Sequence, residues 1–344
     1  MAVAGCTRRA CLLWLGAAAL GRPSLASGSP LPVVDLAVGA ADTLYDLPIK
    51  LAAALGFFAA AGVEVHLWEY PGGMAALEAV REGHADVGAG PFDALVLANA
   101  RGASLQSFFV YGRTPQLVLA ASSRTLPPQP TIQHLVGKLV GVTSFGSASH
   151  RFLRLVLLDA GVPESAVRVI PVGAEARAAE ALRAGSIDGF CGLDPWMTRL
   201  ERSGDVRVLA DSRSVRSSDA LFQGAMPGGC LFAPYARSKA GDPGIERVAQ
   251  AVFQALKWLR TAELSDWNAL ASKAAWARDV GTTSAAVAVS LQGYTADGGL
   301  PEGGARTAWR TLVRLYPELS GVPLSLSRLH TEHYALLARA RLRL

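Results

Sequence analysis

Two short stretches of this chain carry the same four residues at the same spacing, each after a similar amphipathic stretch. REGHADVGAG (81–90) and RAGSIDGFCG (183–192) both place Arg, Gly, Asp and Gly at matching positions. In each copy the Arg fits the last turn of a helix, and the first Gly fits the left-handed residue that ends it. The Asp then begins a strand, and the last Gly stands at the carboxyl end of that strand. Because Gly and Arg are frequent here, chance agreement is the alternative to two units of similar architecture.

Strands and helices alternate on both sides of these stretches. Short apolar or alternating runs predict strands over 33–40, 63–70, 85–90, 105–111, 138–144, 167–172 and 187–193. Amphipathic runs predict helices over 47–62, 74–83, 91–100, 147–161, 175–185 and 246–262, with another opening at Pro195. We interpret GGLPEGGA (298–305) as a flexible break in a helical tail. The alternation predicts an α/β chain with parallel sheets, whose ligand sites lie beyond the carboxyl ends of the strands.

The first residues have the pattern of an export signal. Paired arginines in TRRACLL (7–13) precede a short apolar run at 11–20, and small residues follow at 24–26. We predict a twin-arginine signal peptide over residues 1–26, with an ordinary secretory signal or a retained anchor as alternatives. The apolar run is too short to cross a bilayer, and no later segment is long and apolar enough.

Size and charge narrow the class of protein. Residues 27–344 exceed the roughly 250–300 residues that one core usually holds, which favours two lobes. The formal net charge is +5, and the three arginines of the signal contribute to it. The net charge that remains without them is small, and the sequence has no Lys/Arg block or aromatic platform. Both features argue against nucleic-acid binding. Cys191 and Cys230 follow the signal, either as two buried thiols or as one disulfide.

Three segments resemble, in order and spacing, the periplasmic substrate-binding proteins of ABC importers for sulfonates, taurine, nitrate and related compounds. They are 47–95, 135–162 and 168–196, with the motifs PGGM (71–74), SFGSASH (144–150) and LDPW (193–196). That family shares a fold with the binders of thiamine-pyrimidine precursors, and the resemblance extends over about residues 33–260. It implies an α/β, two-lobe periplasmic binding protein fold of type II, with parallel-dominated sheets, two crossover strands and a helical C-terminal tail.

The resemblance also implies how the chain is divided. The crossover strands are expected within 115–122 and 228–235. Lobe 1 would comprise 33–118 and 232–344, and lobe 2 would comprise 119–231. Ligand is expected between the lobes, so the two repeated stretches would face one shared cavity.

We therefore expect a periplasmic, monomeric solute-binding component of an ABC transporter, which delivers a small organic anion or zwitterion to a permease in the inner membrane. A sulfonate is the first candidate, followed by aromatic or pyrimidine-like compounds. No catalytic, metal or cofactor site is expected: Val142 replaces the first glycine of the hydrolase motif G-x-S-x-G, and His330 and His333 lack metalloprotease spacing. The alternatives are an enzyme of the same fold acting on a pyrimidine or carboxylate compound, and an exported sensory module.

SFGSASH supplies the first candidate contacts, because it leaves a strand and starts a helix at Ser147 or Ser149. Unpaired N–H groups and hydroxyls at a helix start suit an anion. The resemblance matches Ser144, Gly146, Ser147 and His150, which we expect at the ligand site. In the alternative, Ser147 only caps the helix and His150 is structural.

The opposite corner and the strand ends supply further candidates. We expect ligand contacts at Gly73, Met74, Pro91, Phe92, Asp194 and Trp196. The alternatives are a simple turn at Gly73, a helix cap at Asp194 and a core position for Trp196.

Two residues near the strand ends complete the predicted site. Tyr45 stands before the first helix, where the family has a pocket residue, and Asp42 and Asp46 flank it. These acids disfavour a bare anion such as nitrate and leave room for a zwitterion or a larger organic acid. Arg113 could bind a sulfonate or carboxylate with two hydrogen bonds, or it is a solvated loop residue.

Overall fold

Two sheets organise the chain. The computed structural model describes residues 30–39, 43–173 and 175–342, so the predicted signal peptide (1–26) and Asp42 lie outside the described residues. The strands are β1 (Val33–Val38), β2 (Glu64–Glu69), β3 (Val87–Pro91), β4 (Leu105–Val110), β5 (Val118–Ser122), β6 (Leu139–Val142), β7 (Arg168–Pro171), β8 (Gly189–Gly192), β9 (Val206–Asp211) and β10 (Gly229–Pro234).

Both sheets have the same topology. The first runs β2-β1-β3-β10-β4 and the second runs β7-β6-β8-β5-β9; we call the parts built around them the first and the second lobe. In each sheet the first three strands in this order pair in parallel. The strand in fourth place, β10 or β5, runs antiparallel to both of its neighbours. This strand comes from the part of the chain that otherwise builds the opposite lobe: β10 follows the strands of the second sheet but joins the first, and β5 follows the strands of the first sheet but joins the second. The predicted crossover segments contain these two strands, while the lobe boundaries remain a prediction.

Helices cover the sheets and form the C-terminal tail. They are α1 (Leu47–Ala54), α2 (Phe57–Ala61), α3 (Gly73–Arg81), α4 (Phe92–Ala100), α5 (Ala148–Asp159), α6 (Glu175–Arg183), α7 (Trp196–Arg202), α8 (Val215–Phe222), α9 (Tyr235–Lys239), α10 (Pro243–Thr261), α11 (Leu264–Ala271), α12 (Val280–Ser290), α13 (Gly304–Leu315) and α14 (His333–Arg341). The long helix α10 packs against α1, α2 and α14, while α13 packs against both α4 and α5. In the part of the chain that the structure describes, no helix is long and apolar enough to cross a membrane.

The repeated stretches form the same corner in both lobes. Helix α3 ends at Arg81 and α6 ends at Arg183. Gly83 and Gly185 follow them in left-handed conformations, with φ of 79° and 72°. The next strands, β3 and β8, occupy the third place in their sheets. The common architecture predicted from the repeat is confirmed.

An aspartate fastens each corner to the neighbouring strand. The Asp86 carboxylate accepts the backbone N–H of Asp35 at 3.0 Å, and the Asp188 carboxylate accepts that of Leu139 at 3.0 Å. In return, the N–H of Asp86 donates to the carbonyl of Asp35 at 2.8 Å, and that of Asp188 donates to the carbonyl of Leu139 at 2.7 Å. The recurring Asp is explained by the backbone N–H that β1 and β6 would otherwise leave unpaired.

Two predicted helices differ from the observed ones. Gly56, with φ of 74°, splits the predicted helix 47–62 into α1 and α2, because the helix cannot continue through a left-handed residue. The helix predicted to open at Pro195 begins at Trp196, and Pro195 is the residue before it.

The segment 298–305 is a break between helices, as predicted, but it is anchored. The carbonyl of Gly298 accepts the N–H of Val110 at 2.8 Å. The N–H of Leu300 donates to the Glu332 carboxylate at 2.9 Å. The prediction of a flexible break is wrong in this respect, because tertiary hydrogen bonds hold the segment against β4 and the start of α14.

Both cysteines beyond the predicted signal are buried thiols that form no disulfide. Burial raises the pKa of the Cys230 thiol, which keeps it protonated. Of the two alternatives left open by the sequence, the structure has the thiols rather than the disulfide.

We predict that Asp188→Ala lowers the free energy of unfolding by about 1–2 kcal/mol, because the N–H of Leu139 loses its acceptor. Asp188→Asn should keep most of the stability, since its amide oxygen still accepts that hydrogen bond. Urea unfolding followed by circular dichroism measures both variants. Equal stability of Asp188→Ala and the unaltered protein would contradict the proposed fastening role.

Gly73 is the point where α3 meets β3. A Cβ added there would lie 2.5 Å from Cδ of Pro91, so the helix start would have to move. We predict that Gly73→Ala destabilises the protein by about 1–3 kcal/mol, as overpacking does. Gly321→Ala is the matched control, because nothing lies within 4 Å of its added methyl group. Equal thermal unfolding of the two variants would contradict this packing account.

Candidate functional site

A cavity lies between the lobes at the carboxyl ends of their parallel strands. It contains about 740 Å³ of empty space, part of it open to solvent. This is the edge at which open α/β sheets bind ligands. Its lining residues are Gly39, Thr43, Tyr45, Asp46, Pro71, Gly72, Gly73, Met74, Pro91, Leu117, Thr143, Ser144, Ser147, Ala148, Ser149, Gly173 and Leu193.

The first lobe presents the start of α3 to this cavity. Gly72 precedes the helix, and no side chain caps it. The N–H groups of Gly73 and Met74 therefore stand in a first turn that offers them no helical acceptor. Gly39 allows the close approach of β1, since a Cβ there would lie 3.2 Å from the nitrogen of Gly73. The result is a helix start whose backbone donors and positive dipole end face the cavity.

The second lobe presents the start of α5. Ser147 caps this helix and accepts the N–H of His150 at 3.3 Å. The Ser147 and Ser149 hydroxyls share a hydrogen bond of 2.9 Å, and Ser149 donates to the hydroxyl of Thr143 at 3.1 Å. Ser147 is thus a helix cap, as the alternative held, and it also lines the cavity. A small hydroxyl network stands where the helix start faces the opposite lobe.

His150 lies behind this helix start rather than in the cavity lining. Its Nδ1 accepts the N–H of Gly146 at 2.9 Å, and its Nε2 lies 2.9 Å from the Glu164 carboxylate. With Nδ1 as acceptor, Nε2 carries the proton and donates to Glu164. Gly146, with φ of 75°, needs the left-handed conformation that glycine allows. His150 and Gly146 therefore shape the loop that ends at Ser147, in agreement with the structural alternative.

Two hydroxyls from opposite lobes face the same cavity. Neither the Tyr45 phenol nor the Ser144 hydroxyl makes a hydrogen bond to another described residue, and both residues line the cavity. Burial raises the pKa of Tyr45 well above its ordinary value, and the charges of Asp93 and Asp46 raise it further. Tyr45 therefore keeps its proton and remains a hydrogen-bond donor.

Asp46 is the acid that reaches the cavity wall. Its carboxylate accepts the N–H of Gly39 at 3.2 Å and a short hydrogen bond from the Tyr111 hydroxyl. Burial raises the pKa of Asp46, while the Tyr111 hydrogen bond and the charge of Lys50 lower it. Among the described lining residues there is no Arg, Lys or His. An anion in this cavity would be held by neutral donors.

Half of the predicted contacts line the cavity, namely Tyr45, Gly73, Met74, Pro91, Ser144 and Ser147. The structure does not bring the other half to the lining, namely Phe92, Arg113, Gly146, His150, Asp194 and Trp196. Phe92 is fully buried in the core of the first lobe, because α4 turns it inward after Pro91. Arg113 is exposed and borders a separate groove beside Asp297 and Glu332.

Asp194 and Trp196 have structural partners. Asp194 accepts the N–H of Thr198 at 2.8 Å and the hydroxyl of Ser290 at 2.9 Å, so it acts as the helix cap named as an alternative. Trp196 packs against the core of the second lobe, with the Arg199 guanidinium 4.8 Å from its ring centre. The Asp194 carbonyl also accepts the N–H of Leu44 at 2.7 Å, and so supports the segment that carries Tyr45.

Sequence reasoning missed an ion pair behind the cavity. The Arg151 guanidinium binds both oxygens of Asp93, with Nε and Nη2 each at 2.7 Å. Arg151 is 2% exposed, and its partner comes from α4 of the other lobe. Arg151 directly follows the motif SFGSASH, but its partner lies 58 residues away, so no local pattern indicates the contact.

Known proteins resemble this chain in sequence and in fold. Residues 44–215 match the family model described as NMT1/THI5 like. Over 162 residues the chain is 30% identical to a putative aliphatic sulfonates-binding protein of Escherichia coli (strain K12). The aligned region covers 46% of this chain and 49% of that protein. The match thus spans about half the length of this curated relative.

Solved structures match over nearly the whole chain. A protein from Bordetella bronchiseptica RB50 is 32% identical to this chain, with a TM-score of 0.83. The match covers 90% of this chain and 98% of that one. The alkanesulfonate-binding protein of Xanthomonas axonopodis pv. citri, bound to MOPS, reaches a TM-score of 0.68 at 20% identity and covers 88% of this chain and 99% of that one. The predicted two-lobe α/β periplasmic binding protein fold is confirmed. Because the family model extends from residue 44 to residue 215, across strands of both sheets, the chain belongs to the NMT1/THI5-like family.

Proposed function

We propose that this protein is the solute-binding component of an ABC importer, and that it captures a small organic anion, first of all a sulfonate, between its lobes. The observation that carries the proposal is the pairing of two helix starts, α3 and α5, at one cavity. Each helix start contributes roughly half a positive charge and unpaired N–H donors. The free hydroxyls of Tyr45 and Ser144 add donors from both sides.

The charges around the cavity favour a singly charged ligand. No cation lines its described part, and Asp46 adds a carboxylate to the wall. Neutral N–H and hydroxyl donors can stabilise one negative charge without a counter-ion. The Asp46 carboxylate repels every negative charge on a ligand, so a doubly charged ligand would be repelled about twice as strongly. The apolar lining at Met74, Pro91 and Leu193 suits the carbon part of an organic anion better than a bare inorganic ion.

A binding role is favoured over catalysis. Two of the relatives are named for sulfonate binding, the putative aliphatic sulfonates-binding protein of Escherichia coli and the alkanesulfonate-binding protein of Xanthomonas axonopodis. The described part of the lining has serines but no histidine, cysteine or lysine beside them, and its Asp46 carboxylate is already hydrogen-bonded to the N–H of Gly39 and the hydroxyl of Tyr111. We propose further that a twin-arginine signal exports the chain to the periplasm and that the closed monomer delivers ligand to an inner-membrane permease. The enzyme alternative predicts consumption of a pyrimidine or carboxylate compound, which proton NMR of the incubated protein would detect.

The cavity serine provides the direct test. We predict that Ser147→Glu weakens the binding of a sulfonate at least about 100-fold, because a carboxylate would stand at the N–H donors of α5. Isothermal titration with methanesulfonate, taurine, benzenesulfonate and nitrate measures the effect and ranks the ligands.

The matched control is Ser214→Glu. Ser214 caps α8 and accepts the N–H of Ser217 at 3.1 Å, so the substitution alters an equivalent cap outside the cavity lining. Sulfonate affinity should be unchanged in this variant. Equal affinity of Ser147→Glu and the unaltered protein, or binding of none of the anions, would contradict the proposal.

A further inference from the structure

The Asp93–Arg151 ion pair joins the two lobes directly behind the cavity. Asp93 lies in α4, which packs on β3, β4 and β10 of the first lobe, and Arg151 lies in α5, which packs on β8 of the second. The guanidinium uses Nε and Nη2 to bind both carboxylate oxygens at 2.7 Å. Arg151 is 2% exposed and Asp93 is 15% exposed, so most of the surface of the pair is removed from solvent.

The third nitrogen of Arg151 reaches the predicted ligand loop. Nη1 donates to the carbonyl of Gly146 at 2.6 Å, and it lies 3.9 Å from the sulfur of Met74, which lines the cavity from the first lobe. One side chain therefore contacts the opposite lobe, the loop before Ser147 and the first turn of α3.

Burial gives this pair its influence on closure. When the lobes separate, both charged groups can be hydrated; when they meet, both lose water together. A buried charge without its partner is strongly unfavourable, so removing either partner penalises the closed arrangement alone. Bidentate binding also accepts a narrow range of positions, which fixes how α4 and α5 meet.

We propose that Arg151 is a positioning residue for ligand binding, which pairs with Asp93 to set the closed arrangement of the lobes and holds the Gly146 loop so that the N–H groups of α5 face the cavity. The proposal rests on the proposed function for its effect on affinity. The effect on lobe closure is a property of the chain alone.

Another ion pair provides a contrast. Arg199 and Asp279 are 2.6 Å apart, with side chains 36% and 51% exposed. Exposed pairs contribute little because water and salt screen them. Asp279→Asn removes that charge while an asparagine can still cap α12, so it is a suitable control.

The experiment compares Asp93→Leu, Arg151→Met, the double variant, Asp279→Asn and the unaltered protein. Spin labels on the exposed positions Glu64 and Arg168, on β2 and β7, report the closed fraction by double electron–electron resonance without ligand and with benzenesulfonate. Titration gives the dissociation constant of benzenesulfonate. Thermal unfolding shows that each variant is folded.

Each single variant should have a smaller closed fraction than the unaltered protein. It should also bind benzenesulfonate about 10- to 100-fold more weakly, mainly through faster dissociation. The double variant should recover closure, because two apolar side chains can meet, but its affinity should recover only in part since the Gly146 contact is lost. Asp279→Asn should match the unaltered protein.

Unchanged closure and affinity in Asp93→Leu would overturn the proposal. So would additive losses in the double variant, which would show that the two residues act independently. If the unaltered protein binds no anion, the proposed function fails, while the closed fractions still decide the role of the pair.

Discussion

The unpaired backbone N–H groups at the starts of α3 and α5 are the constraint on which this structure depends. A helix that follows a parallel strand begins at the carboxyl end of that strand, where its first N–H groups have no helical acceptor. Both lobes place such a helix start at the same cavity, and the described lining contains no basic side chain beside either start. The positive end of each helix dipole is therefore available to a negatively charged molecule.

The matching construction of the lobes brings these starts together. Asp86 and Asp188 fasten equivalent strands with hydrogen bonds of equal length, 3.0 Å. Because β10 lies in the first sheet and β5 in the second, the chain passes between the two sheets at both of these strands. Two connections between lobes leave hinge motion as the natural way to open and close the cavity. The tail then adds α13, which packs on α4 and α5 at once.

Local patterns in the sequence predicted the fold, and half of the residues that we predicted as ligand contacts line the cavity. The left-handed glycines, the strand–helix alternation and the serines before α5 are all visible within a few residues. The roles of His150 and Asp194 were left open by such patterns. Glu164, which binds His150, and Ser290, which binds Asp194 in addition to its local partner Thr198, are brought near only by folding. The same holds for Arg151 and Asp93, whose contact depends on how two helices from different lobes meet. Sequence periodicity predicts which elements form, whereas the polar contacts between elements depend on tertiary packing.

Charge recognition by neutral donors is the central claim, and a pair of nearly isosteric ligands tests it most directly. Isothermal titration of the unaltered protein should compare benzenesulfonate with methyl phenyl sulfone, which keeps the ring and two sulfonyl oxygens but has no charge. The account predicts that benzenesulfonate binds and that the sulfone binds at least about 100-fold more weakly, since it loses the interaction with both helix starts. Equal affinities for the two compounds would contradict it.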